Sequence, residues 1–159
     1  MKTAIVYATT HGTTRKVVER INTELKGKAT LLNLKTAKRV DVSQFEQVVI
    51  GGSIHAGSIQ RCIKKFCQQN MVSLLQKRVI LFICGMNEKD FPAELKNAYP
   101  ELLRKHAAYY TAVGGEFLIE RMNFIERLIV KRITGISHSV SNIKEQEVNG
   151  IVEVILKPF

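Results

Sequence analysis

The sequence predicts an α/β protein built on a five-stranded parallel sheet, and three features predict it. Short apolar runs alternate along the chain with segments of helical period, the alternation that βαβ units produce. The apolar runs are nearly continuous, as in strands covered on both faces, and lack the every-other-residue pattern of a half-solvated sheet. No repeat, low-complexity tract or Pro/Ser-rich linker interrupts the 159 residues, so residues 1–159 are expected to form a single domain.

Lys2–Ala8 is the first strand. From Thr14 to Lys26, Val17, Val18, Ile21 and Leu25 fall on one helical face, and Gly27 follows where helices commonly stop. Ala29–Leu34 is the second strand and Val48–Ser53 the third. Ile63, Phe66 and Asn70–Leu74 mark a helix between Ile59 and Leu75. Arg78–Cys84 is the fourth strand, with the strongest buried pattern. Ala93–His106 is helical with a break at Pro100, and Tyr109–Phe117 is the fifth strand. Arg121–Thr134 is a basic amphipathic helix. Met122, Ile125, Ile129 and Ile133 form its stripe, Phe124 and Leu128 flank it, and Arg127 and Lys131 lie roughly opposite. The C-terminal "GIVEVILK" has strand composition, yet alternation of elements favours a closing helix from about Ile143 to Leu156.

Composition removes several function classes. The longest apolar run, Val79–Met86, is far short of the roughly 20 residues needed to cross a bilayer. "MKTAIVYA" is too quickly polar for a signal peptide, and an odd number of cysteines (Cys62, Cys67, Cys84) suits reduced thiols, so a cytoplasmic protein is expected. The three Cys and four His show no metal-ligand spacing, and no metal is expected. Twenty-four basic against fourteen acidic residues give +10 and a pI near 9.7. Such a surface suits an anionic partner or is simply a solvated basic surface. The basic residues are scattered over several helices without a recognised module, so nucleic acid is not the expected partner.

In open parallel sheets, ligands bind beyond the carboxyl ends of the strands. Those ends carry "ATTHGTT", "GGSIHAG" and "CGMN" after the first, third and fourth strands. A Walker loop and a G-x-G-x-x-G turn are both absent. A phosphoacceptor domain needs acidic residues where this chain has Thr and Gly-Gly-Ser. A cysteine phosphatase loop needs an Arg where Cys84 is followed by Asp90. The first loop instead offers hydroxyls from Thr9, Thr10, Thr13 and Thr14 around Gly12, at a helix N-terminus. Two readings stay open: a phosphate site that needs no Lys, or a set of Thr caps on a tight turn.

A first strand followed by T-x-[T/N/D]-G-x-T opening a helix, with Gly/Ser-rich loops after strands three and four, resembles the flavodoxin family over most of the chain. The resemblance implies a flavodoxin-like sandwich with strand order 2-1-3-4-5 and FMN as cofactor. It places the 5′-phosphate in Thr9, Thr10, His11, Gly12, Thr13 and Thr14. It places the isoalloxazine ring between Gly52, Ser53, Ile54, His55, Ala56 and Gly57 on one side and Gly85, Met86 and Asn87 on the other. His11 departs from the usual small polar residue. Within the family, "MKTAIVYATTHGTTRKVVERI", "VVIGGSIHAGSIQRCIKKF" and above all "GGEFLIERMNFIERLIVKRITGIS" are similar to the bacterial quinone-coupled protoporphyrinogen oxidases of haem biosynthesis. That likeness implies oxidation of an organic substrate, a porphyrinogen, with a quinone or redox protein as acceptor. The other readings are a flavodoxin-type electron carrier serving a redox partner and a fold relative with a degraded flavin site.

Three expectations rest on the residues themselves. With no Trp in the chain and no Tyr or Phe in "GGSIHAG" or "CGMN", Ile54, His55 and Met86 make soft contacts that leave a ring face free, unless a Tyr from elsewhere covers it. A +10 protein is expected to raise a flavin's reduction potential. Arg121–Thr134 either lies on the inner face of an anionic membrane, as a peripheral contact, or packs on the core. His55 and His106 are candidates for chemistry but more often structural, and no catalytic residue is assigned.

Overall fold

The structure, a computed structural model, describes residues 1–37 and 39–158. Five parallel strands form the central sheet: β1 (Thr3–Tyr7), β2 (Ala29–Asn33), β3 (Gln47–His55), β5 (Arg78–Cys84) and β6 (Tyr109–Ala112). Their order, β2-β1-β3-β5-β6, is the expected 2-1-3-4-5 when the parallel strands are counted along the chain. Register sets Ile5 between Leu31 and Val49, and Ile50 beside Leu81. All five residues of β1 are buried, the double coverage that its continuous apolar run implies.

α1 (Thr13–Glu24) and α7 (Glu145–Leu156) cover one face, where Val17, Ile21, Val148 and Ile151 meet Ile5, Val49 and Phe82. The other face is covered by α2 (Arg61–Gln69), α3 (Met71–Leu74), α4 (Phe91–Ala98) and α5 (Glu101–His106), packing Ile63, Phe66, Phe91 and Leu103 on Val48, Ile50 and Leu81. A side chain of this size taken wholly out of water contributes about 1.5–3 kcal/mol, so these two layers fix the sheet. The α4–α5 break falls at Tyr99–Pro100, and the buried Tyr99 hydroxyl reaches the carbonyls of Ile50 and Phe82 at 3.0 and 2.7 Å. The C-terminal segment is helical, as alternation predicts. Val148, Ile151 and Ile155 bury one face, so periodicity outweighs β-branched composition.

Three elements differ from expectation. β3 runs on through His55 and pairs antiparallel with β4 (Ser58–Ile59), so "GGSIHAG" is a strand end and a hairpin turn, not a loop. Ala56 (φ 48) and Gly57 (φ 73) both take positive φ, the geometry of a tight two-residue hairpin. Ile59 therefore belongs to a strand, and the helix expected from Ile59 to Leu75 becomes α2 and α3. The fifth strand, expected over Tyr109–Phe117, splits after Ala112. β7 (Gly114–Phe117) leaves the sheet and pairs antiparallel with β8 (Val140–Ile143). Gly114 makes the bend at φ 75, with the Asn142 carbonyl oxygen 1.9 Å from where a Cβ would stand. Between these strands a 3-10 turn (Ile119–Arg121) leads to α6 (Phe124–Thr134). Asn123 and Glu126 close a reciprocal capping box on α6, and Gly135 ends it at φ 71.

Candidate functional site

The first loop turns into α1 through Gly12, at φ 97. The Thr9 hydroxyl accepts the Gly12 N–H at 2.9 Å, which holds the turn open toward the helix start. No side chain caps α1, so the first-turn N–H groups of Thr13, Thr14 and Arg15 point at a donor-rich hollow. Two cations attend it. Lys35 Nζ donates to the Thr10 hydroxyl at 3.0 Å, and Arg121 Nη1 donates to the His11 carbonyl at 3.4 Å. That same nitrogen lies 2.2 Å from where a Cβ on Gly12 would stand, so a side chain there would displace the end of Arg121 and strain the backbone at φ 97. A guanidinium set against the positive end of a helix is favourable when an anion lies between them.

His11 ties this loop to the segment around α6. Its Nδ1–H donates to the Arg121 carbonyl at 3.3 Å, and Nε2 stands 3.6 Å from Glu126 Oε1. Its ring meets His55 edge-to-face with centroids 5.9 Å apart. Burial first, then the neighbouring His11 and Lys35, hold His55 below the usual histidine value, against the opposing pull of Glu126. Thr14 is buried, its hydroxyl sharing a hydrogen bond with Ser53 at 3.1 Å. Gln60 completes that brace. Its Nε2 donates to Ser53 Oγ (2.9 Å) and the Ala8 carbonyl (3.3 Å), while its Oε1 accepts the Ser53 N–H (2.9 Å).

Beside the hollow lies a cavity of about 710 Å³, within the range that holds small-molecule ligands and cofactors. Of the residues expected at the site, His11, Thr13, Ser53, Ile54, His55, Ala56, Gly57, Gly85, Met86 and Asn87 line it. Thr9, Thr10 and Gly12 form the hollow next to it. Gly52 is packed inside the hairpin, with Gln60 Oε1 2.6 Å from its absent Cβ, and neither it nor Thr14 faces the cavity. His106 is elsewhere, its Nε2 bonded to the Lys77 carbonyl at 2.8 Å, before the start of β5.

The sequence did not reveal the remaining walls. Met122, Glu126, Ile129, Val130 and Ile133 line the cavity from α6 and its approach, and Phe117 enters from β7. Phe117 brings to the cavity an aromatic side chain of the Phe/Tyr/Trp kind, which "GGSIHAG" and "CGMN" lack. No residue of α6 is buried, so the helix does not pack into the core; Ile129 and Ile133, at 51 % and 77 % exposure, edge the cavity, and Phe124, Ile125 and Leu128 are exposed at 75 %, 67 % and 51 %. Four carboxylates line the same space: Asp90, Glu94, Glu116 and Glu126. Among the described residues no Lys or Arg does. Glu116 Oε1 accepts from Lys16 Nζ and Ser141 Oγ, each at 2.8 Å. Glu94 sits above the usual carboxylate value because it is desolvated and, second, because Asp90 is near. At the floor, burial pushes the Cys84 thiol up to about 12, so it is not a thiolate.

The donor-rich hollow fits a phosphate monoester, and the adjoining apolar-walled cavity fits a ring system attached to it. A comparison with curated proteins finds no match. Among solved structures, an archaeal flavodoxin superposes with TM-score 0.55 at 17 % identity, covering 72 % of this chain and 83 % of that one. Oxidised flavodoxin 1 from Bacillus cereus superposes with TM-score 0.56 at 11 % identity, over 96 % and 93 %. Rubredoxin oxygen:oxidoreductase from Desulfovibrio gigas gives TM-score 0.58 at 13 % identity, over 96 % of this chain and 34 % of that larger protein. At these identities the likeness is one of fold. The sequence itself matches the flavodoxin domain model over residues 4–142, nearly the whole chain, and the protein belongs to the flavodoxin domain family.

Proposed function

We propose that the chain is an FMN-dependent oxidoreductase that dehydrogenates a flat organic molecule in the cavity beside α6. FMN is the cofactor that goes with the family. The residues fit it: Thr9, Thr10, Gly12, the first-turn N–H groups of α1 and Arg121 would hold the phosphate. The ring would lie by Ile54, His55, Gly85, Met86 and Asn87. Bound there, FMN supplies an acceptor for one or two electrons. The observation that carries the reading is α6, which with its approach brings Met122, Glu126, Ile129, Val130 and Ile133 to the edge of the cavity where the ring would lie. His55, held below its usual value, presents an uncharged ring to that cavity at neutral pH.

The finer reading, oxidation of a porphyrinogen with electrons passed to a quinone, rests on the resemblance of the three quoted segments. The outward face of α6 supports it. Phe124, Ile125 and Leu128 are exposed beside Arg127, Lys131 and Arg132, a combination suited to lying on an anionic membrane where a quinone resides. No helix among the described residues is long and apolar enough to cross a membrane. Salt-sensitive sedimentation with anionic liposomes is the expected behaviour of that face. The direct test is anaerobic mixing of FMN-loaded protein with protoporphyrinogen, which is expected to bleach the flavin absorbance.

A second reading, an electron carrier, is supported by the same exposed face of α6, which also suits a docking redox protein. Flavin that is reduced by a partner protein and left untouched by organic substrates favours the carrier.

A further inference from the structure

The stretch between β7 and β8, residues 118–139, stands off the sheet on a narrow neck. Phe117 and Val140 pair at its base, the Ile119 N–H donates to Ser139 Oγ at 3.0 Å, and that hydroxyl donates to Glu120 Oε1 at 3.3 Å. Its interior is likewise self-contained. Arg127 Nε donates to the Met122 carbonyl at 3.0 Å, and Asn123 and Glu126 cap α6 from within. The helix has 11 residues and buries none of them, so no apolar face fastens it to the core.

Among the described residues, every hydrogen bond and ion pair that leaves this stretch for the rest of the protein ends on His11. The ring takes hold at two points, Nδ1–H on the Arg121 carbonyl and Nε2 toward Glu126 Oε1, and the His11 carbonyl accepts from Arg121 Nη1. The other oxygen of Glu126 accepts the Asn123 N–H at 3.0 Å. A single histidine therefore joins the cap of α6 to the loop that opens α1.

This clasp has an electrostatic bias. Among the described residues no carboxylate pairs with Arg121, whose guanidinium is set at the uncapped, positive end of α1. Two positive groups facing each other repel, and an anion between them turns the repulsion into attraction on both sides. A phosphate in the hollow thus draws Arg121 toward Gly12, and the start of α6 comes with it.

We infer that His11 is a positioning residue: it clasps residues 118–139 to the phosphate loop, so that a phosphate monoester in the hollow holds α6 at the edge of the cavity. This rests on the flavoprotein reading and adds a coupling to it, in which the flavin's phosphate and not its ring sets the wall that a substrate meets. Linkage makes the coupling reciprocal, and a fastened α6 tightens the grip on the phosphate.

Amide hydrogen exchange over Phe124–Thr134, followed by mass spectrometry, reads the clasp, because so short a helix with no buried face is marginal in water once released. FMN and riboflavin are brought to the same fractional occupancy, measured by flavin fluorescence, so that both stabilise the global fold equally. FMN is expected to slow exchange in α6 at least about fivefold more than riboflavin does, while α7 responds alike to the two. His11→Ala should abolish that difference. Glu126→Gln keeps a capping side chain and loses only the charge facing His11, so it should reduce the difference and tests the clasp where the first variant does not fold. Absence of FMN binding breaks the flavoprotein reading and this inference together. FMN that binds without protecting α6, riboflavin that protects it equally, or full FMN protection in either folded variant overturns this inference alone.

Discussion

At the loop that opens α1, Lys35 and Arg121 bring two cations to Thr10 and His11, whereas the adjoining cavity is lined by four carboxylates and, among the described residues, by no Lys or Arg. Both belong to one continuous site, since His11 and Thr13 border the two. The difference teaches that a total charge of +10 does not describe the field where a ring would sit. Surface charges are screened over about 8–10 Å at ordinary ionic strength, while the buried Glu94 and Glu116 are screened less. The expectation that the basic composition lifts a flavin's potential therefore meets an opposing local field. The tail end favours an anion and the ring end resists one, which orients a ligand that has one charged end.

The largest effect is expected from closing the tail end. Gly12→Val forces a β-branched residue to φ 97 and drives its Cβ into Arg121, so FMN affinity should fall about a hundredfold, equivalent to about 2.7 kcal/mol. Retained affinity would mean the hollow does not hold the phosphate. Arg121→Gln should cost about tenfold in FMN affinity at low salt and leave riboflavin unaffected, because only the phosphate needs the cation. A matching loss for riboflavin would place Arg121 at the ring instead.

At the ring end, a reductive titration discriminates local from global charge. Removing the Glu116 charge with Glu116→Gln should raise the flavin potential by roughly 30 mV, the two-electron equivalent of about 1.4 kcal/mol. Lys131→Gln, on the exposed α6, should change it far less. The smallest effect is on stability. Glu94 has its folded-state value raised above the unfolded one, so the native state binds the proton more tightly and loses stability as pH rises through that window. Glu94→Gln should therefore melt higher than wild type at pH 8 and show no such gain at pH 4. A gain that persists at pH 4 would point to packing, not ionisation.

The sheet was legible because β1, β3 and β5 are buried on both faces and say so in uninterrupted apolar runs. α7 was legible through its period in spite of a β-branched composition. The turn from Thr9 into α1 was legible too, being local to one strand end. What escaped depends on distant partners. Tyr109–Phe117 looks like one strand because nothing near Gly114 announces that β7 will pair with Val140–Ile143. Ala56 carries no turn signal, yet it takes φ 48 inside a hairpin. Arg121 reaches Gly12 from far along the chain, and Glu94 and Glu116 look like ordinary solvated residues until the fold buries the first beside Gly85 and the second against Lys16 and Ser141.

The central claim, one FMN site whose tail is held at Thr9–Thr14 and Arg121, is tested most directly by titrating the protein with FMN and with riboflavin under the same conditions and following flavin fluorescence. The account predicts saturable quenching by FMN and at least about tenfold weaker binding of riboflavin. Equal affinity for the two flavins, or no binding of FMN, would contradict it.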